Sequence, residues 1–225
     1  GVLQQKHRPV IIGTGPAGLF CGYLLAQHGY RPILLERGSD VDNRSKKVEH
    51  FWETGELDEK TNVSFGEGGA GTFSDGKLNT LVKDKLMRNR KVLEIFVEHG
   101  APEEILYQQK PHIGTDVLKN VIVSMRKSIL EYGGEVRFDS CMTDLDVRDG
   151  ALAGIWVNQT EYIACETLVL ATGHSARDTF KMLFEKNCVP MEPKPFSMGV
   201  RIEHPQALID SIQYHCPTRG EYLPA

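Results

Sequence analysis

The stretch from Arg8 to Arg37, RPVIIGTGPAGLFCGYLLAQHGYRPILLER, constrains this chain more than any other, because an apolar strand, a glycine turn, a helix and a second strand follow one another without a gap. Val10, Ile11 and Ile12 form a short apolar run bounded by glycine, as in a strand buried on both faces of a parallel sheet. The turn is Gly13-Thr14-Gly15-Pro16-Ala17-Gly18, a GxGxxG. In that pattern the first glycine turns the chain sharply, the second lets backbone approach a pyrophosphate, and the third lets the helix pack on the strand. The helix opens with unpaired N–H groups and its positive dipole end at the same turn, which holds a diphosphate without a lysine. The second strand, Ile33-Leu34-Leu35, ends in Glu36, 18 residues after Gly18. A carboxylate at this exposed strand end accepts both hydroxyls of an adenosine ribose and repels a 2′-phosphate, so FAD and NAD both fit and NADP does not.

A second glycine-rich stretch, Phe65 to Leu78 (FGEGGAGTFSDGKL), has five glycines in fourteen residues. Flexible linkers of this glycine content carry serine and lack large anchors such as Phe65, Phe73 and Leu78. Backbone lying flat against a planar ligand or a phosphate needs small residues, and Thr72 and Ser74 add hydroxyl donors, so this loop is expected to touch the ligand. Before it, residues 38–63 are polar and of mixed charge, which reads as a surface helix and loop. After it, Lys83, Lys85, Arg88, Arg90 and Lys91 cluster at the start of a helix; no aromatics interleave them, and they read as a solvated face.

Leu118, Val121, Ile122, Met125 and Ile129 recur at helical spacing and predict a helix over 116–132 with one buried face. The period then changes. Val136 and Phe138 open a strand, residues 141–147 and 152–157 pair across Arg148-Asp149-Gly150, and residues 162–164 follow, forming a small β-meander inserted in an α/β chain. Thr167 to Gly173 (TLVLATG) is another buried strand, whose small-residue end joins the same sheet edge as the first turn. A proline-rich crossing, 189–195, leads to a second domain with a strand over 196–202 and a helix over 205–214. The domains predicted are therefore 1–188, Rossmann-like, and 189–225, the truncated beginning of a substrate or cap domain.

At 225 residues and 40% hydrophobic composition the chain buries a substantial core. Lys and Arg total 26 against 30 Asp and Glu, a net charge of −4, which offers no general attraction to nucleic acid or to an anionic membrane. No apolar run is long enough to span a bilayer, and the expected location is the cytoplasm. Five scattered cysteines, Cys21, Cys141, Cys165, Cys188 and Cys216, include no CxxC, which argues against a dithiol reductase, and no zinc spacing is present, so no metal is expected. The chain opens on Gly1 and stops at Ala225 without completing an element, which reads as a fragment.

Together the fingerprint, the glycine loop and the LVLATG strand resemble the two-dinucleotide-binding-domain flavoproteins. FGEGGAGTFSDGKL, PHIGTD, ATGHSARDT and FSMGVRIEHP resemble, more particularly, a little-characterised family of FAD-dependent dehydrogenases. The resemblance implies an FAD-dependent oxidoreductase passing hydride or electrons through bound flavin to or from a small-molecule substrate, with NAD(P)H among the donors. It implies that Gly13, Gly15, Pro16, Ala17 and Gly18 face the FAD pyrophosphate, Glu36 the ribose, and Arg37 the adjacent adenosine or phosphate. Gly68, Gly69, Ala70, Gly71, Thr72, Ser74 and Lys77 would pass the pyrophosphate and flavin, Met142 would offer backbone to adenine, and Ala171, Thr172 and Gly173 would close the crevice. The family's last flavin motif, a Gly-Asp pair, is absent, so this chain alone is expected to bind FAD weakly and to lack turnover. A non-catalytic flavin-binding module is the alternative; an RNA-modifying flavoprotein is disfavoured by the net charge. No residue is identified as catalytic. His112, His174, Arg201 and His204 are candidates, each with a structural role as the competing reading.

Overall fold

The computed structural model describes residues 6–73, 76–78, 83–108, 111–187, 189–216 and 223. The chain divides into two compact units, Gly1–Pro190 and Met191–Ala225. The first is α/β. Strands β1 (Val10–Ile12), β2 (Ile33–Leu35), β3 (Glu135–Arg137) and β7 (Leu168–Leu170) form a parallel sheet in the order β3-β2-β1-β7. Strands β4 (Met142–Arg148), β5 (Ala151–Val157) and β6 (Glu161–Ala164) form a separate antiparallel meander. The strand expected around Val136 thus belongs to the parallel sheet rather than to the meander, because its backbone pairs with β2.

Alternation along β1 and β2 divides the core. Ile11 and Leu34 face α1 (Pro16–Gln27), α3 (Arg88–Glu98) and α4 (Thr115–Glu131), packing with Leu19, Phe96, Ile122 and Met125. Val10, Ile12, Ile33 and Leu35 face the other way, onto Met142, Leu145, Ile155 and Val157 of the meander and Leu183 of α5 (Arg177–Glu185). A strand with both faces covered carries no polar side, which is why these triplets are wholly apolar. The expected buried face of α4 is present in Val121, Ile122, Met125 and Ile129. Helix α1 lies close on the sheet because Gly18 and Gly22 carry no Cβ: one at Gly18 would collide with the carbonyl of Gly13, and one at Gly22 would lie 2.7 Å from Leu34 Cδ2.

Helix α2 (Val41–Thr54) starts at Asp40, whose carboxylate accepts from the Asp42 and Asn43 N–H groups. The surface helix expected there forms, but its Arg44 is fully buried. In the second unit, α6 (Gln206–Tyr214) forms as expected, whereas residues 196–202 form no strand. Phe196, Met198, Val200 and Ile202 alternate as a strand would, but they are exposed, and among the described residues this unit has no strand to pair with them. Helix α5 carried no recognised signal in the sequence.

The two packing glycines can be separated from glycines needed only for backbone freedom. Gly18→Ala sets a Cβ against backbone that cannot rotate away, and about 1–3 kcal/mol of unfolding free energy should be lost, as in overpacked cores. Gly55→Ala, at a left-handed C-cap with nothing within 4 Å of a Cβ, should cost only about 1–2 kcal/mol. Urea unfolding with equal effects, or a larger one at Gly55, would remove the α1–β1 contact as the tighter constraint.

Candidate functional site

The carboxyl ends of β1, β2 and β7 open on one cleft of about 560 Å³. Its walls come from the turn after β1 (Gly13, Gly15, Pro16, Ala17), the end of β2 (Glu36, Arg37) and the second glycine loop (Phe65, Gly66, Gly69, Ala70, Gly71). Met142 of the meander and Ala171, Thr172 and Gly173 beyond β7 complete it. A cleft outside the carboxyl ends of parallel strands is where this architecture places nucleotide ligands. The N-terminus of α1 reaches it with Gly15 as N-cap and Pro16 in the first turn, and no side chain caps it.

Two glycine backbones meet in this cleft. The Gly68 N–H donates to the Thr14 carbonyl at 2.9 Å, and a Cβ on Gly69 would lie 2.9 Å from Gly15 Cα. Gly69 also sits at φ +68°, a conformation that favours glycine. Gly13 is equally confined, since a Cβ there would strike the Ala171 carbonyl. The walls are therefore bare backbone on three sides, which a phosphate chain requires and a surface loop does not. On this observation the residues present fit a dinucleotide.

Glu36 corrects the expectation of an exposed acceptor, for it is only 4% exposed. One of its oxygens accepts from the N–H and hydroxyl of Thr14, both at 2.9 Å; the other accepts from the N–H groups of Gly38 and Gly66, both at 3.0 Å. The carboxylate thus ties the β1 turn, the segment after β2 and the second glycine loop together, while its residue still lines the cleft.

Arg44 holds the same loop from inside. Its guanidinium donates to the carbonyls of Asn62 (3.0 Å), Val63 (2.9 Å), Glu67 (2.7 Å) and Gly69 (2.8 Å). Burial pulls its pKa down to about 10, against the opposing pull of Glu36 and Glu67, which leaves it charged at neutral pH. Glu67 is itself fully buried, accepting from the Val41 N–H at 2.8 Å and from Arg126 Nε at 2.6 Å. Burial raises its pKa, and those two bonds oppose the rise.

Arg37 lies over the Phe65 ring at 4.4 Å and donates to Asp178 and Thr179 at 3.0 and 3.1 Å. Partial burial pushes the Asp178 carboxyl up, but the Arg37 bond and the Thr179 N–H hold it below the usual carboxylate range. Cys141 also lines the cleft; burial raises its thiol, so it is not a thiolate nucleophile at neutral pH. Cys21, Cys141, Cys165 and Cys216 are free thiols, and Cys188 lies outside the described residues.

The remaining expected site residues divide. Gly18 packs behind the turn rather than in the cleft, and Gly68 and Lys77 line a different cavity. Thr72 is buried, with its hydroxyl between the Glu67 carbonyl and Arg44, so it offers no donor to a ligand. Ser74 lies outside the described residues. Of the histidines, His174 lines the cleft and His112 pairs by backbone with Lys77. His204 and Arg201 belong to the second unit, where Arg201 pairs with Glu203. Sequence reasoning missed Ser64, Ser140, Cys141, Thr179 and Phe180 as lining residues. Ser140 and Cys141 were signalled by their place just before Met142; Thr179 and Phe180 belong to the unrecognised α5.

Among the described residues no helix is long and apolar enough to cross a membrane, and no group of three His, Cys, Asp or Glu residues is set to hold a metal. Residues 11–62 match the family model described as NAD(P)-binding Rossmann-like domain, and residues 195–225 match the one described as FAD-dependent protein, C-terminal domain-like. A protein of Clostridium beijerinckii titled "Uncharacterized protein" is 52% identical over 214 residues, covering 95% of this chain. The chain spans 39% of that relative's length. The crystal structure of Thermovibrio ammonificans THI4 is similar in fold, with 19% identity and a TM-score of 0.50, over 82% of this chain and 64% of that one. A 3-ketosteroid dehydrogenase from Rhodococcus jostii matches at 16% identity and a TM-score of 0.47, over 82% and 49%.

Glu36→Gln replaces an acceptor of four donors with an amide whose own NH₂ must face some of them. The ligand-free variant should lose about 1–3 kcal/mol in urea unfolding, the cost of leaving buried donors unmatched. A carboxylate serving only a ligand would leave that stability unchanged.

Proposed function

We propose that this chain, which matches a Rossmann-like family model and an FAD-dependent C-terminal one, carries the dinucleotide site of an FAD-dependent oxidoreductase. The observation that supports it best is the cleft at the ends of β1, β2 and β7, with the backbones of Gly15 and Gly69 in contact in its lining. Bound FAD would supply the transfer of a hydride or of electrons between a substrate and an acceptor.

The chain's own residues bind and orient. The N–H groups opening α1 would face the pyrophosphate, which the dipole of that helix favours without a lysine. Gly13, Gly15, Pro16 and Ala17 form one part of the wall, and Gly69, Ala70 and Gly71 the part that adjoins it. Glu36, whose oxygens already accept from Thr14, Gly38 and Gly66, would lie beside the ribose, where a carboxylate repels a 2′-phosphate. Arg37, fixed by Asp178 and Thr179, would bound the adenosine end, with Met142 backbone beside the adenine. Ala171, Thr172 and Gly173 would close the crevice. The substrate is a small molecule and NAD(P)H is a reasonable donor. Acid–base catalysis is assigned to no side chain.

Gly15 separates binding from stability. Its φ of −68° suits any residue, and a Cβ there meets only Gly69 Cα, at 3.6 Å. Gly15→Val should therefore fold with a change of about 1 kcal/mol or less, yet project its branches into the path of the pyrophosphate and weaken FAD at least about tenfold. FAD titration beside urea unfolding reads both, and undiminished affinity in a stable variant would move the cofactor elsewhere. On a chain of the relative's full length, steady turnover with a donor and an acceptor supports the enzyme, whereas a single stoichiometric reduction supports a flavin-binding module.

A further inference from the structure

Behind the second glycine loop lies another cavity, of about 500 Å³, on the α-helical side of the sheet. Leu19 and Phe20 of α1, Val92 and Phe96 of α3, and Leu118 and Ile122 of α4 form its walls. It shares Pro16, Ala17 and Gly71 with the dinucleotide cleft, so a thin partition of small residues separates the two spaces. Such a volume is that of a small-molecule pocket, well above a packing defect.

The chemistry of the lining restricts what can enter. Among the described residues Lys77 is the one ionisable group of the lining, and Lys77 already has an interaction within the protein. Among the described residues no serine, threonine, asparagine, glutamine or histidine contributes. A sugar, a nucleotide or a carboxylate placed here would leave water without matched partners, at a cost that rises steeply for a charge. A neutral apolar molecule forfeits nothing and gains contact with aromatic and aliphatic side chains on three helices.

We propose that this cavity is a binding site for a neutral, apolar small molecule, the substrate side of the reaction. The role as substrate rests on the FAD reading of the adjoining cleft; the existence and selectivity of the site do not. The protein as isolated, with its FAD content recorded by absorbance, would be titrated with phenylnaphthylamine, a neutral fluorescent probe, and the probe displaced with decanol or with decanoate. One probe should bind per chain, and decanol should displace it at least about tenfold more effectively than decanoate. Val92→Trp and Leu118→Trp, which fill the cavity from opposite walls at half-buried positions, should each weaken the probe at least about tenfold with FAD content unchanged. Two variants are used so that misfolding of one leaves the other to decide. Absence of probe binding, binding untouched by both tryptophans, or equal displacement by decanoate overturns the proposal. Normal probe binding in protein unable to take up FAD would keep the site and overturn its role as substrate pocket.

Discussion

The Glu36 carboxylate is the point on which the cleft depends. Four donors from three separate segments converge on it, and two of those segments, the turn after β1 and the second glycine loop, are adjoining walls of the same space. Hydrogen bonds to an ionised acceptor are stronger than neutral ones, and a buried carboxylate is tolerable only when so surrounded. Its charge is also opposed by Arg44, which grips the glycine loop by its carbonyls while Glu36 grips it by an N–H. Residues 66–71 are held largely by this pair of opposite charges, since apart from Glu67 they are glycine and alanine.

Buried ion pairs add little net stability when compared with apolar packing, but they specify geometry. Here they surround a loop that, on the proposed reading, shows bare backbone to a ligand. Arg44 and Arg126 hold it from outside, through its carbonyls and through its own Glu67. The glycine loop is also two-sided. Gly69 to Gly71 present to the cleft at the strand ends, while Gly68, Gly71, Gly76, Lys77 and Leu78 reach the apolar cavity.

Much of the fold was legible because its signals are repetitive. Apolar triplets mark β1 and β2, helical spacing marks α4, and a charged turn at residues 148–150 marks the meander. The cleft was legible at Gly13, Gly15, Gly69 and Ala171 because missing or minimal side chains are visible in sequence. Less visible was the use made of polar residues. Arg44 sits in a helix that reads as solvated, and its burial is compensated by loop carbonyls, which no residue pattern encodes. Glu36 has the spacing of a ribose acceptor and is simultaneously an internal clamp, and spacing does not distinguish those roles. Residues 196–202 show the converse error: alternation signals a strand, but a strand exists only through a partner.

The sheet order has a consequence for how the cleft comes into being. Val10 pairs with Ile33 on one side and with Leu168 on the other, so the strand that begins the fingerprint is completed by chain made much later. Contacts of such sequence separation form slowly, and during synthesis an unpaired parallel edge waits for its neighbour. The turn that holds Gly13 and the clamp at Glu36 can assemble from the first third of the chain; the wall at Ala171 to Gly173 cannot. Nascent chains still short of Gly173 therefore lack one wall of the crevice, and on the proposed reading the cofactor cleft is not complete until β7 has emerged.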